Sequence, residues 1–400
     1  MAILLTRHTR RGITLFAALL LLLSIAPPGG LYQARASVQT PSSPAPTIPG
    51  ELVRAEPIPD IGDHPAWRIL YTSTGLDGSL TPITGVIAVP DKPTPAVGFP
   101  LLAVAHPTAG LGRQCAPSLL LQSNNSVMAD LYQETLSPFL DEGFAIVMSD
   151  YQGLGAAGDP SYLIGQVEGA NVLDSIRAAH QFPDAALAAE ALLIGHSQGG
   201  HAAAFALQLA PDYAPELVID GAVLAAPALD PAGIFAGLTE DDIPSDTTSL
   251  ILMVMSAWSS TYPDASLDQV TTPAGQELIE SSIAKTCLFE AGQAAAGHVP
   301  SDLFLPGAST AWADHSAQNT PAPGPWPVPV LIVHGTEDEV IDPALSLRFV
   351  EGLCASGTTV AYLEYPDTDH FGVLSAARDD ILSWLSDRAN RLTAPNNCPP

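Results

Sequence analysis

Five residues, Gly195-His196-Ser197-Gln198-Gly199, carry a chemical pattern. An apolar run, Ala191 to Ile194, precedes them, and an Ala-rich stretch, Gly200 to Ala210, follows. Strand, sharp turn and helix form the context in which Gly-x-Ser-x-Gly makes a nucleophile elbow. Glycines on both sides of the serine leave room for tight backbone. Gly200 lets the following helix lie close to the sheet. The helix N-terminus then points unpaired N–H groups and a positive dipole end at the site, which favours a developing oxyanion. In a chain with 32 glycines the pentapeptide alone says little; its flanks give it weight.

A serine hydroxyl is a poor nucleophile until a base takes its proton, and the base needs a carboxylate to fix its tautomer and stabilise its cation. The apolar run Val328–His334 is followed by Gly335-Thr-Glu-Asp338-Glu-Val-Ile-Asp342-Pro. His-Gly-x-x-Asp-x-x-(Val/Ile) is a recurrent acid loop, and it selects Asp338. Glu337, Glu339 and Asp342 are rivals, to be set against a solvated acidic turn or, for Asp342 before Pro343, a helix N-cap. The last strand-like run, Val360–Tyr365, leads into Pro366-Asp-Thr-Asp-His370-Phe-Gly372. A lone loop histidine is usually a surface residue, but position after the last strand makes His370 the expected base. His196 sits inside the elbow and His201 one turn into its helix. His106 and His334 end strands. His298 and His315 fall in the region between, and no spacing suggests a metal site.

An oxyanion hole needs two preorganised N–H donors. One is the residue after the nucleophile, Gln198. The other is expected from the loop His106-Pro-Thr-Ala-Gly110-Leu-Gly112. Pro107 has no N–H, so Thr108 is the first candidate and Ala109 the next. An ordinary Gly-rich turn is the bland alternative.

These residues need a sheet to hold them. Apolar runs at Trp67–Thr74, Ile83–Val89, Leu101–His106, Phe144–Asp150, Leu192–Gly195, Ile219–Ala225, Val328–His334 and Val360–Tyr365 read as strands. The first two form an opening antiparallel pair. Helical stretches fall at Met128–Glu142, Gly169–Gln181, Gly200–Ala210, Pro343–Cys354 and Val373–Arg391. The alternation predicts an α/β fold with a mostly parallel sheet of about eight strands and helices on both faces. A serine elbow after the fifth strand, with acid and histidine later in the chain, matches the α/β-hydrolase order. Residues 60–228 and 328–400 would form this core. The stretch 229–327 has no strand–helix rhythm and ends in a Pro-rich exit, Pro321 to Pro327. A structureless loop of that length is improbable in a compact domain, so a mostly helical inserted cap is expected.

The start of the chain reads as a secretory signal. Arg7, Arg10 and Arg11 precede the apolar run Ile13–Ala26, and Ala34-Arg35-Ala36 resembles a cleavage site. The run is shorter than the ~20 residues of a spanning helix, so no integral membrane anchor is expected. A twin-arginine route is a weaker alternative to the general secretory one. Residues 37–59, rich in Pro, Ser, Thr and Ala, read as an extended linker. Beyond residue 36 the chain carries 10 basic and 42 acidic residues, net −32. That excludes nucleic acid and anionic membranes as partners, because phosphate neutralisation needs Lys and Arg. The even cysteine count (Cys115, Cys287, Cys354 and Cys398) in an exported chain predicts two disulfides, with three pairings open.

Taken together, the motifs resemble the secretory lipase family. The matching residues are His106-Pro-Thr-Ala-Gly110 with Cys115-Ala-Pro-Ser118; Ser149-Asp-Tyr-Gln-Gly-Leu-Gly155; Gly195-His-Ser-Gln-Gly-Gly200; His334-Gly-Thr-Glu-Asp-Glu-Val340; and Asp369-His370. They span most of residues 60–390. The resemblance implies ester hydrolysis without metal or cofactor, a cap after the sixth expected strand, and bridges Cys115–Cys287 and Cys354–Cys398. It places Tyr151 and Gly110 beside the substrate. Pro107 departs from the glycine that relatives often carry, which leaves the second oxyanion donor open. The expected activity is secreted triacylglycerol hydrolysis, with a lipid–water interface as a possible partner. A short-chain esterase or acyltransferase is the first rival; a secreted peptidase and a catalytically silent scaffold are remoter ones.

Overall fold

Along the central strands, alternate side chains go to opposite faces of one sheet. In Leu101–Ala105, residues 101, 103 and 105 pack on one face and Leu102 and Val104 on the other. The run Ala191–Ile194 divides the same way. Both faces are apolar, so both must be covered by helices.

The computed structural model describes residues 47–124, 126–236 and 244–398. The expected signal segment and the first part of the linker lie outside the described residues. Among the described residues there are nine strands: β1 (Leu52–Ile61), β2 (His64–Thr74), β3 (Leu80–Ala88), β4 (Phe99–Ala105), β5 (Ala145–Ser149), β6 (Leu187–His196), β7 (Val218–Ala225), β8 (Val330–Gly335) and β9 (Val360–Tyr365). They form one sheet in the order β1-β2-β3-β5-β4-β6-β7-β8-β9. The first three are antiparallel, and β3 meets β5 antiparallel. The remaining six run parallel.

One boundary is corrected. Residues 52–59 were expected within an extended linker, yet they belong to β1, which pairs with β2 from Leu52↔Tyr71 to Ile61↔His64. Pro57 and Pro59 suit this place because β1 is an edge strand, where a missing N–H costs least. The expected last helix is also broken, into Val373–Ala376 and Arg378–Ala389.

Helices Gly165–Ala179, Gln198–Tyr213 and Pro343–Ser356 cover one face of the sheet. Helices Val127–Glu142 and Arg378–Ala389 cover the other. Burying a leucine such as Leu102, fully enclosed here, stabilises by roughly 1.5–3 kcal/mol. Between β7 and β8 the described residues are mostly helical, with Ser245–Thr261 the longest helix among them. These helices surround their own apolar cluster, centred on Trp258, which continues onto Tyr162, Leu163 and Val167. No helix among the described residues is long and apolar enough to cross a membrane.

The loops after β4, β6, β8 and β9 all leave the carboxyl edge of the parallel sheet. In open α/β sheets that edge is where ligand sites form.

Candidate active site

The turn between β6 and the helix Gln198–Tyr213 is as tight as its glycines require. A Cβ on Gly195 would stand 2.0 Å from Gly199 O, and one on Gly199 would stand 1.9 Å from Ala105 O. Only glycine lets the helix start press onto the ends of β6 and β4. Ser197 itself has φ 56° and ψ −117°. Non-glycine residues held at such angles store about 1–3 kcal/mol of strain, and they cluster at functional sites. Its backbone is pinned by Ser197 N–H to Ala225 O (2.9 Å) and by Ala228 N–H to Ser197 O (3.1 Å).

The sequence-selected acid and base meet. His370 Nδ1 lies 2.7 Å from Asp338 Oδ2. The two come from loops 32 residues apart in sequence, after β8 and β9. Asp338 Oδ1 accepts from the N–H groups of Val340 (2.9 Å) and Ile341 (2.8 Å). A further partner has no counterpart in the sequence reading: His334 Nε2 also reaches Asp338 Oδ2, at 3.0 Å, and Ile341 O, at 3.0 Å. A carbonyl only accepts, so His334 Nε2 carries the hydrogen, and Nδ1 takes the Ser346 hydroxyl at 2.9 Å. Burial alone would raise the Asp338 pKa. The hydrogen bonds from His334 and His370, and the charge of His370, outweigh it and hold the group well below the usual carboxylate range. The rivals Glu337, Glu339 and Asp342 are not drawn in; Asp342 caps the next helix through Ala344 N–H.

His196 places the base beside the elbow. Its ring lies 4.8 Å from that of His370, and its Nε2–H donates to His370 O at 2.9 Å. Burial, then the charge of His370, lowers the His196 pKa to about 3. His196 is therefore a neutral donor at ordinary pH. Ser197 and His370 are both nearly buried, at 7% and 4% exposure. Among the described residues, no hydrogen bond joins Ser197 Oγ to the His370 ring. Such bonds are often long outside the Michaelis complex and close within it.

Gln198 is the first residue of its helix, so its N–H has no partner within the helix. Thr108 lies in the loop after β4, against which Gly199 packs. Its hydroxyl pairs with Tyr162 at 2.9 Å. Among the described residues, neither the Gln198 nor the Thr108 N–H is engaged in a hydrogen bond.

The two residues expected beside the substrate, Tyr151 and Gly110, have well-defined partners in place. Tyr151 is 1% exposed, with φ 64°. Its hydroxyl donates to His106 O (3.2 Å) and its ring packs on His106. Gly110 forms a β-bridge with Cys287, whose Cα would be 2.5 Å from a Cβ there. Both residues line a small cavity that also touches Gln198, Glu168, Tyr162 and Leu111. The disulfides are Cys115–Cys287 and Cys354–Cys398, as the resemblance implied. The first ties the loop after β4 to the inserted helices. Asp150 anchors the neighbouring loop, accepting from Ser118 N–H, the Ser118 hydroxyl and the Thr84 hydroxyl.

Behind Gln198 stands a buried group that sequence reasoning passed over. Glu168 accepts Gln198 Nε2 at 2.6 Å and lies 3.3 Å from His201 Nδ1. Its only sequence signal is a charged residue on an otherwise small and apolar helix face.

The comparisons with known proteins agree with this architecture. The secretory lipase model matches residues 121–304. A prolyl oligopeptidase family model matches residues 309–390, the stretch that carries the acid and histidine loops. A probable inactive lipase of Mycobacterium tuberculosis is 28% identical over 343 residues, 81% of this chain and 73% of that one. The secreted triacylglycerol lipase LIP2 of Malassezia globosa is 26% identical over 365 residues, 83% of this chain and 75% of that one. The closed state of Candida antarctica lipase A superposes with a TM-score of 0.74 at 21% identity, covering 88% of this chain and 84% of that one, which establishes the fold. The α/β-hydrolase sheet, the elbow after β6, the lipase model over residues 121–304 and the likeness to secreted lipases together support a place in the secretory lipase family, a group of lipase- and esterase-type hydrolases.

Proposed function

We propose that the protein is an exported serine hydrolase of carboxylic esters, with acylglycerols as the substrate class. Ser197 attacks the ester carbonyl. His370 takes the serine proton and returns it to the leaving alcohol, while Asp338 fixes the imidazole and balances its charge. The N–H groups of Gln198 and Thr108 hold the oxyanion, and water then releases the acid from the acyl-enzyme. The helical stretch 229–327 serves as the cap over this site. The observation that carries the reading is the 2.7 Å contact between Asp338 and His370, set beside a serine held at φ 56°. Two disulfides and the likeness to a secreted lipase support an extracellular place of action.

A short-chain esterase is the second reading. The cavity beside Gln198 holds only about 10 Å³, against ~300 Å³ at the low end of ligand pockets, so no room for a long acyl chain is open there. The test has two parts. Ser197→Ala should leave the fold intact and abolish turnover of p-nitrophenyl esters and labelling by a fluorophosphonate; persistent turnover refutes the mechanism. Rates across acyl lengths then separate the readings, since a lipase keeps its kcat/KM on long chains and an esterase loses it.

A further inference from the structure

Glu168 is fully buried, within the helix Gly165–Ala179, and the mechanism above does not use it. Its Oε1 accepts from Gln198 Nε2 (2.6 Å), and from Leu163 N–H at 3.1 Å. Its Oε2 faces His201 Nδ1 at 3.3 Å, and His201 Nε2 lies 2.8 Å from Asn319 O. Asn319 O can only accept, so His201 Nε2 carries a hydrogen. The contact between Oε2 and Nδ1 then requires one hydrogen more, on the imidazole or on the carboxyl. In both arrangements the pair holds a single extra proton and is neutral as a whole. Burial raises the proton affinity of Glu168, and the hydrogen bonds from His201 and Gln198 oppose it.

Neutrality matters here. A lone carboxylate buried behind an oxyanion donor would repel the negative charge that develops on the substrate oxygen. The far end of the network is anchored in the chain leaving the helical insertion. Asn319 Oδ1 accepts Gly165 N–H at 3.0 Å, and Asn319 Nδ2 donates to Tyr262 Oη at 2.9 Å. We infer that Glu168 and His201 are positioning residues for the oxyanion donor: they clamp the Gln198 side chain inward, so that its N–H faces the reacting carbonyl, without placing net charge behind it. The inference rests on the proposed role of the Gln198 N–H.

The test compares kcat and KM on p-nitrophenyl butyrate for Gln198→Ala, Glu168→Gln, Glu168→Ala and the double variant Glu168→Ala/Gln198→Ala, with thermal melts and Ser197→Ala as control. Gln198→Ala keeps the N–H but frees it. Losing an oxyanion donor costs about 100- to 1,000-fold in kcat, so a loosened one should cost at least about 10-fold, with KM within about threefold. Glu168→Gln preserves both hydrogen bonds and the neutrality, and should stay within about threefold of the parent. Glu168→Ala should match Gln198→Ala, and the double variant should be no slower than either single one, because both remove the same clamp. Parent-like kcat in Gln198→Ala overturns the inference. So does a Glu168→Gln as slow as Gln198→Ala, or additive losses in the double variant. If Glu168→Ala does not fold, Gln198→Ala and Glu168→Gln decide the matter alone by the same criteria. An inactive Ser197→Ala with an unimpaired Gln198→Ala sinks the clamp only; an active Ser197→Ala sinks the serine mechanism and the clamp with it.

Discussion

Replacing His196 with glutamine should change how stability depends on pH, by an amount the structure lets one work out. His196 is buried, and its pKa falls from the ordinary 6.5 to about 3 in the fold, chiefly through burial and next through the charge of His370. Below about pH 6.5 the unfolded chain takes up a proton there that the folded one refuses. The stabilisation from His196 is therefore complete above its unfolded pKa and drains away as pH falls toward 3. At 1.36 kcal/mol per pH unit, acidification from about pH 7 to pH 4 removes about 3 kcal/mol. A glutamine at this position would keep a donor of similar reach for His370 O but cannot be protonated. We expect His196→Gln to be less stable than the parent by about 1 kcal/mol near neutrality. The order should reverse by about pH 4, where the variant gains about 2 kcal/mol on the parent. Urea unfolding of both proteins across this range is the assay, since other titrating groups largely cancel in the difference. Parallel curves for the two proteins would refute the reasoning. So would an NMR titration placing the folded His196 imidazole near 6.5.

Asp338→Asn should lower kcat by about 10,000-fold with little change in KM, because the amide supports the wrong imidazole tautomer; steady-state kinetics with a p-nitrophenyl ester read this directly. Because the folded Asp338 pKa is depressed, its stabilisation is present above about pH 4 and lost as pH falls further, so the variant should also show a shallower acid limb in thermal melts. Removing the Cys115–Cys287 bridge, which spans 172 residues, should cost about 5 kcal/mol by loop entropy and also lower kcat, since Gly110 and the loop after β4 lean on Cys287. Removing Cys354–Cys398, which spans 44 residues, should cost about 4 kcal/mol and leave kcat unchanged; melts and kinetics on the paired serine variants distinguish the two.

The parts of the site written in local patterns were legible. The run Ala191–Ile194 announces its strand as a short continuous apolar stretch running into Gly195, the elbow announces itself by glycines that steric contact requires, and Asp338 and His370 follow strands recognisable from apolar runs alone. Strand β1 escaped notice because its exposed face carries Arg54, Glu56 and Asp60 and it contains two prolines, the composition of a linker. A signal was nonetheless present: Gly62-Asp63 between Ile61 and His64 is a two-residue hairpin dipeptide, and Gly62 has the positive φ such turns need. Other features have no local signal. Glu168 and Gln198 are 30 residues apart and meet only because two helices pack side by side on one face of the sheet. In the sequence, His334 is a strand-end residue and His196 the variable member of the elbow. Their donor roles depend on which carbonyl lies opposite, and only the assembled loops settle that. Tyr151, expected beside the substrate, lines the cavity next to Gln198, while its hydroxyl donates to His106 O, a contact no local pattern foretells.

Likeness to relatives does not decide whether this chain turns over substrate, since they include a probable inactive lipase as well as a secreted triacylglycerol lipase. The local energetics bear on the question. Ser197 occupies a conformation that costs about 1–3 kcal/mol. Its side chain gains no hydrogen bond among the described residues to offset that cost. Around it, His196 is buried and kept neutral to hold the His370 backbone, and His334 shares Asp338 with His370. A buried glutamate and its histidine partner hold the side chain of Gln198, whose N–H opens the helix. The strain at Ser197 is unfavourable for folding alone, whereas the hydrogen bonds of His196 and Asp338 also stabilise the fold. On the proposed mechanism they share one purpose, which is met when negative charge appears on an atom between Ser197 and Gln198. Backbone strain at Ser197 beside a paired Asp338–His370 couple is what the proposed ester hydrolase needs and a silent scaffold has no use for.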